Sequence, residues 1–189
     1  MQAPRQSFFP DDRPVLLYNP HFDAKLSSWV NHGAAMLATL EALDGWNVVI
    51  APHTKLARHV SPIVSSARHI RVDMGSRHSI DMSYTMSADV YLGDVSSQVY
   101  EFLIQPRPCI FLNLDGQDRS ADDAFAHWKL GQVIDRADAL PAALARANDL
   151  QPGFVAAQKA AMQESIDRSP VPASRRQADL ILDFTRKQA

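Results

Sequence analysis
The residues best equipped for chemistry crowd into the run GDVSSQVYE at positions 93–101: Asp94, the adjacent hydroxyls of Ser96 and Ser97, and the Glu101 carboxylate. Serines at a helix start sit beside backbone N–H groups that have no partner within the helix. They lie at the positive end of its dipole, and that combination suits a phosphate group. Glu101, one helical turn beyond Ser97, would repel phosphate but accepts hydrogen bonds from a ribose diol. Plain capping is the commoner role of such serines. Position favours the phosphate reading, because the turn follows a central strand and ligands gather at the carboxyl ends of strands in open α/β sheets. Asp94 fits a role in orienting the turn by accepting backbone N–H bonds. His53 and His21 each follow an earlier strand, which puts them on the same edge of the sheet.

The elements that must position these groups follow from pattern. Residues 88–92 are a short β-prone run that stops at Gly93 and Asp94, and Val99, Phe102 and Leu103 then recur at helical spacing. Pro106 and Pro108 end that helix, and Cys109–Leu112 reads as a buried parallel strand. Upstream, residues 15–18 form a strand. Ser27 or Ser28 caps a helix with Trp29, Gly33, Leu37 and Leu40 on one face, and Gly45 closes it in the C′ position. Residues 46–51 and 70–72 give two more strands, 63–67 fit no single class, and 81–87 a short helix. Downstream, 115–126 is a polar surface loop placed to fold over a ligand, 132–135 a final strand, and 138–148, 154–166 and 174–186 are helices, with Pro141 tolerated in a first turn. Strands alternating with helices at this rhythm predict an α/β fold with a doubly wound, Rossmann-like parallel sheet, since parallel neighbours need crossover connections. Residues 1–14 read as a flexible lead-in, with Phe8 and Phe9 covering a surface, and 15–189 as one domain.

The run SADVYLGDVSSQVYEFL at 87–103 resembles a segment of the CDP-glycerol glycerophosphotransferase family, the teichoic-acid and capsule polymerases. It is more distantly similar to nucleotide-sugar 2-epimerases. The resemblance implies the C-terminal, donor-binding half of a GT-B fold over residues 15 to about 186, with Ser96 and Ser97 on the donor diphosphate and Glu101 on the ribose. The family carries a Lys/Arg-x-His-Pro segment whose histidine contacts the donor phosphates. His53 matches it, although Pro52 falls before the histidine, and this implies a catalytic place for His53 beside the leaving phosphate. A loop histidine capping a strand end fits His53 equally well. His21 stands where the family commonly has Pro-Thr, and it either reaches the interdomain cleft or packs on Phe22. Val95 replaces a tyrosine that is frequent in the family. The implied partners are a nucleotide-activated donor, CDP-glycerol or a nucleotide-sugar, and an N-terminal acceptor domain or partner protein that supplies the acceptor and any general base.

Composition narrows the alternatives. A chain of 189 residues, 46% hydrophobic and 21% charged, is long enough for one well-buried core. A net charge of -2 argues against a nucleic-acid binder. Cys109 has no partner for a disulfide and reads as a small core hydrophobe. The seven histidines include no i, i+4 pair, so neither a metal site nor a cofactor is expected. No apolar run reaches membrane-spanning length and the first residues lack an apolar signal core, which predicts a cytoplasmic protein. Arg175, Arg176, Arg186 and Lys187 leave peripheral contact with acidic lipid of the inner membrane open. Two further functions stand beside the transferase. One is a non-catalytic binding or interaction module. The other is a response-regulator-like domain, against which Asn19 counts, because it occupies the place of the required aspartate.

Overall fold
Every residue of β1 (Val15–Asn19), β2 (Asn47–Ile50), β4 (Val90–Gly93) and β5 (Cys109–Leu112) is buried, as expected where helices cover both faces of a parallel sheet. The computed structural model describes residues 8–119 and 121–188. With β3 (Ile70–Val72) and β6 (Gln132–Ile134) these strands form one six-stranded, wholly parallel sheet in the order β3-β2-β1-β4-β5-β6. This is the predicted doubly wound, Rossmann-like α/β fold.

Alternation along each strand sorts the core into two layers. Leu16, Tyr18, Val48, Ile50, Leu92 and Ile110 pack with Met36 and Leu40 of α1 (Ser28–Glu41) and with Leu140 and Ala143 of α6 (Leu140–Ala145). Leu17, Val49, Tyr91 and Phe111 face the opposite side. There they meet Tyr84 of α4 (Ser83–Ser87), Val99 and Phe102 of α5 (Gln98–Phe102), and Met162 of α7 (Ala147–Ser165). Arg107 locks the second layer: its guanidinium donates to the carbonyls of Thr85, Ala88 and Phe102 and lies 3.8 Å from the Phe102 ring centre. Gln158 of α7 is fully buried and donates to the Arg107 and Leu130 carbonyls. The buried Cys109 thiol, its pKa pushed up by burial, is a core side chain.

Several boundaries differ from expectation, each for a local reason. Ala42 caps α1 in the right-handed region, and the chain leaves through short turn bonds from Leu43 to Leu40 and from Trp46 to Leu43. Gly45 is therefore not a left-handed C′ residue; among described glycines only Gly75 and Gly116 have positive φ. The gap expected at 149–153, between helices at 138–148 and 154–166, is absent. α7 runs through Pro152, and the break falls at Arg146, between α6 and α7. Two short helices, α2 (Thr54–Ala57) and α3 (Arg77–Ile80), were not expected, and both stand at carboxyl ends of strands. Of the lead-in at 1–14, residues 1–7 lie outside the described residues. Phe8 and Phe9 are buried, with Phe8 against Tyr84 and His78. Among the described residues no helix is long and apolar enough to cross a membrane.

The strand order puts the crossover from β1 through α1 to one side and that from β4 through α5 to the other. A crevice opens between the carboxyl ends of β1 and β4, the position where such sheets take ligands. Two glycines test the packing that holds this frame. A Cβ on Gly131 would lie 2.3 Å from the Cys109 carbonyl oxygen, whereas one on Gly153 meets nothing within 4 Å. In urea denaturation Gly131→Ala should cost about 2–4 kcal/mol. Gly153→Ala, in the interior of α7, should gain up to about 1 kcal/mol. Equal effects would contradict the close approach of Gly131 to β5.

Candidate functional site
The crevice is built by two side chains that reach across it in opposite directions. Asn19, at the end of β1, is buried; its Nδ2 donates to the Ala51 carbonyl at 2.6 Å. Its Oδ1 accepts from the Tyr91 hydroxyl at 3.3 Å and from Ser96 Oγ at 3.4 Å. Asp94, just beyond β4, is 3% exposed, and its Oδ2 accepts from the backbone N–H groups of His21 and Ser28, both at 2.9 Å. Asp94 thus orients backbone, as expected of it, but the backbone belongs to the loop after β1 and the start of α1. Ser27 caps α1, and the Tyr18 hydroxyl meets Ser28 Oγ at 2.6 Å. Gly93 is required by its own strand, since a Cβ there would stand 2.8 Å from the Tyr91 ring.

The two serines of the turn divide the work. Ser96 Oγ accepts from the Gln98 N–H at 3.2 Å and turns inward to Asn19, so Ser96 is the cap and the tie. Ser97 is exposed and makes no capping bond with its side chain. The amides of Val99 and Tyr100 close back on the Ser96 and Ser97 carbonyls, while those of Ser96 and Ser97 find no acceptor among the described residues. The donors open to a ligand are thus these two amides and the Ser97 hydroxyl. Because α5 has five residues, its dipole adds little to them.

Glu101 and His53 line one cleft of about 200 Å³, together with Asn19, Thr54, Tyr84, Thr85 and Gln98. Glu101 is half-buried, and burial raises its pKa. His53 caps α2, its Nδ1 accepting from the Lys55 N–H at 3.2 Å, so its Nε2 carries the proton and is a donor. Burial, and then the Lys55 charge, lower the His53 pKa and favour the neutral ring. The His21 ring packs on Phe22, with centres 4.4 Å apart, and His21 is not among the residues lining this cleft. Phe22 also meets His53 at 4.8 Å and carries Lys55 Nζ at 4.6 Å, which forms an aromatic and basic rim after β1 and β2.

Tyr84 and Thr85 lie on α4, the short helix expected at 81–87, but their place on the cleft wall comes from packing across the sheet edge that the sequence does not show. Tyr84 is fixed by a network in which its hydroxyl donates to Asp73 at 2.7 Å and accepts from Arg71 at 2.9 Å. Burial alone would raise the Asp73 pKa, but hydrogen bonds from Ser76, Tyr84 and Gly75 outweigh it and hold it at about 2. Among the described residues no three His, Cys, Asp or Glu side chains come together to hold a metal ion.

No family model and no curated protein matches the sequence. Solved structures do. The wall teichoic acid polymerase TagF superposes with a TM-score of 0.72 at 17% identity, over 97% of this chain and 47% of that one. The glycotransferase of kitacinnamycin gives 0.54 at 16%, over 90% and 43%. The C-terminal CMP-Kdo binding domain of WaaA from Acinetobacter baumannii gives 0.51 at 12%, over 84% and 94%. The chain spans about half the length of the polymerase chains it matches, and the likeness establishes the fold as that of a GT-B half-domain.

Asp94 provides a test of the crevice independent of any ligand. Burial, opposed by the bonds from His21 and Ser28 and aided by the nearby Asp115, raises its pKa to about 6. The folded protein therefore holds this proton more tightly than the unfolded chain. The resulting stability is full below about pH 4 and is lost as pH rises through about 6, a change on the order of 2–3 kcal/mol. Asp94→Asn keeps an oxygen for both N–H groups and should flatten that slope in urea titrations run at several pH values. An unchanged slope would place the titration elsewhere.

Proposed function
We propose that this chain is the donor-nucleotide-binding half of a glycerophospho- or glycosyltransferase that uses CDP-glycerol or a nucleotide-sugar in cell-surface polymer synthesis. The observation that carries the reading is that Glu101 and His53 line a single cleft, and that the Ser96–Ser97 turn leads directly into Gln98 on its wall. The nucleoside lies in this cleft with its ribose diol on Glu101. The diphosphate takes the free amides of Ser96 and Ser97 and the Ser97 hydroxyl. His53 donates from Nε2 to the departing phosphate, while Asp94 and the loop bearing His21 hold the frame. Such groups act by stabilising charge on the leaving group and by positioning, and require no covalent intermediate.

The acceptor belongs to a second half-domain or partner protein. The surface that fits it is α8 (Ala173–Gln188), which leaves Leu180, Ile181 and Phe184 each more than 60% exposed. The same face favours the second reading, a non-catalytic module that docks through α8, and Arg175, Arg176, Arg186 and Lys187 beside it suit acidic lipid in a peripheral association. The donor reading keeps the protein in the cytoplasm.

Calorimetry with CDP and CDP-glycerol should show binding that Ser97→Ala weakens. Glu101→Ala should weaken CDP about tenfold and remove its preference over 2′-deoxy-CDP. Absence of binding by CDP, CDP-glycerol and UDP-sugars, or Ser97→Ala and Glu101→Ala proteins that bind as the parent does, would leave the docking module.

A further inference from the structure
Phe22, in the loop after β1, is 38% exposed, yet the side chains of His21, His53 and Lys55 all converge on its ring. The backbone on either side of it is tied down. The His21 N–H donates to Asp94 at 2.9 Å, the Asp23 N–H to His21 Nδ1 at 3.0 Å, and the Lys25 N–H to Asp23 at 2.9 Å. Across the sheet edge the His53 N–H donates to the Pro20 carbonyl at 3.2 Å, which stitches the loop after β2 to the loop after β1. Phe22 therefore has a fixed place relative to His53, and of the three stacked rings it is His53 that lines the cleft of about 200 Å³. His53 needs such a hold. The terminal torsion of histidine has a broad minimum, and the single bond from the Lys55 N–H to Nδ1 leaves the ring free to swing. An aromatic ring packed 4.8 Å away removes that freedom. The π-electrons of Phe22 also hold the Lys55 ammonium, whose charge, after burial, disfavours protonation of His53.

We propose that Phe22 is a positioning residue for phosphate recognition: it holds the His53 ring with Nε2 directed into the cleft and keeps the Lys55 ammonium beside it; this rests on the donor-binding reading. Phe22 itself touches no ligand and acts through His53. Because Asp94 anchors the same loop, the Ser96–Ser97 turn and His53 keep a constant spacing, as two contacts on one diphosphate require. The charged and titratable groups around His53 are His21 and Asp23 of the loop after β1, Lys55 of α2 and Glu101 in the same cleft.

The test follows His53 by imidazole NMR in the full chain without ligand, beside calorimetry with CDP. Phe22→Leu should raise the His53 pKa toward that of an ordinary imidazole, because burial and the held ammonium both weaken. It should also weaken CDP about fivefold, the scale of one aromatic contact. Lys55→Met should raise the His53 pKa as well. Phe22→Tyr restores the ring and should return both readouts to parental values. A Phe22→Leu protein with parental His53 titration or parental CDP affinity overturns the proposal, and so does a Phe22→Tyr protein that behaves as Phe22→Leu does; each leaves the nucleotide reading standing. A parent chain that binds no CDP removes both.

Discussion

A carboxylate shut away from water must find donors, and Asp94 finds them in the backbone of another strand's loop. That constraint sets the shape of the whole carboxyl edge. It pins the loop after β1 and the first turn of α1 to the turn after β4, at the point where the sheet reverses its winding. Asn19 answers from the opposite strand through Ala51, Tyr91 and Ser96. The in-register pairing of Asn19 with Gly93 brings these two polar ends side by side. Together their hydrogen bonds tie the loop after β1 to the turn after β4.

The consequence is a turn bordered by polar recesses on both flanks. On one side the cleft collects a half-buried carboxylate, a histidine held neutral by burial and by Lys55, and the hydroxyl-bearing wall of Tyr84 and Thr85. On the other lies the His32–Asp115 pair. Short α5 makes the turn depend on individual N–H and O–H donors more than on a helix dipole. Of the two serines, one is consumed by structure and the other keeps an exposed hydroxyl with no capping bond. The fold that carries this turn is shared with the wall teichoic acid polymerase TagF and the C-terminal CMP-Kdo binding domain of WaaA at 12–18% identity.

Much of this was legible in the chain itself. The strands were found within one or two residues because buried parallel strands are written as short apolar runs, as in VLLY and CIFL. The turn at 93–101 was found because its residue types are concentrated there. What could not be read was pairing at a distance. Asp94 reaches residues more than sixty positions away, and Asn19 drew notice only for not being an aspartate. The roles of Ser96 and Ser97 separate only once Asn19 stands beside one of them. α2 and α3 are too short to show a period, and the gap left at 149–153 is filled by α7, which buries Ala147, Gln158 and Met162.

The central claim, that the turn after β4 holds a nucleotide diphosphate, is tested most directly by amide hydrogen exchange with and without saturating CDP. The account predicts slowed exchange at residues 95–101, where the Ser96 and Ser97 amides gain acceptors, with a second protected stretch at 53–57 around His53. Unchanged exchange at 95–101 in a protein that demonstrably binds CDP would contradict it.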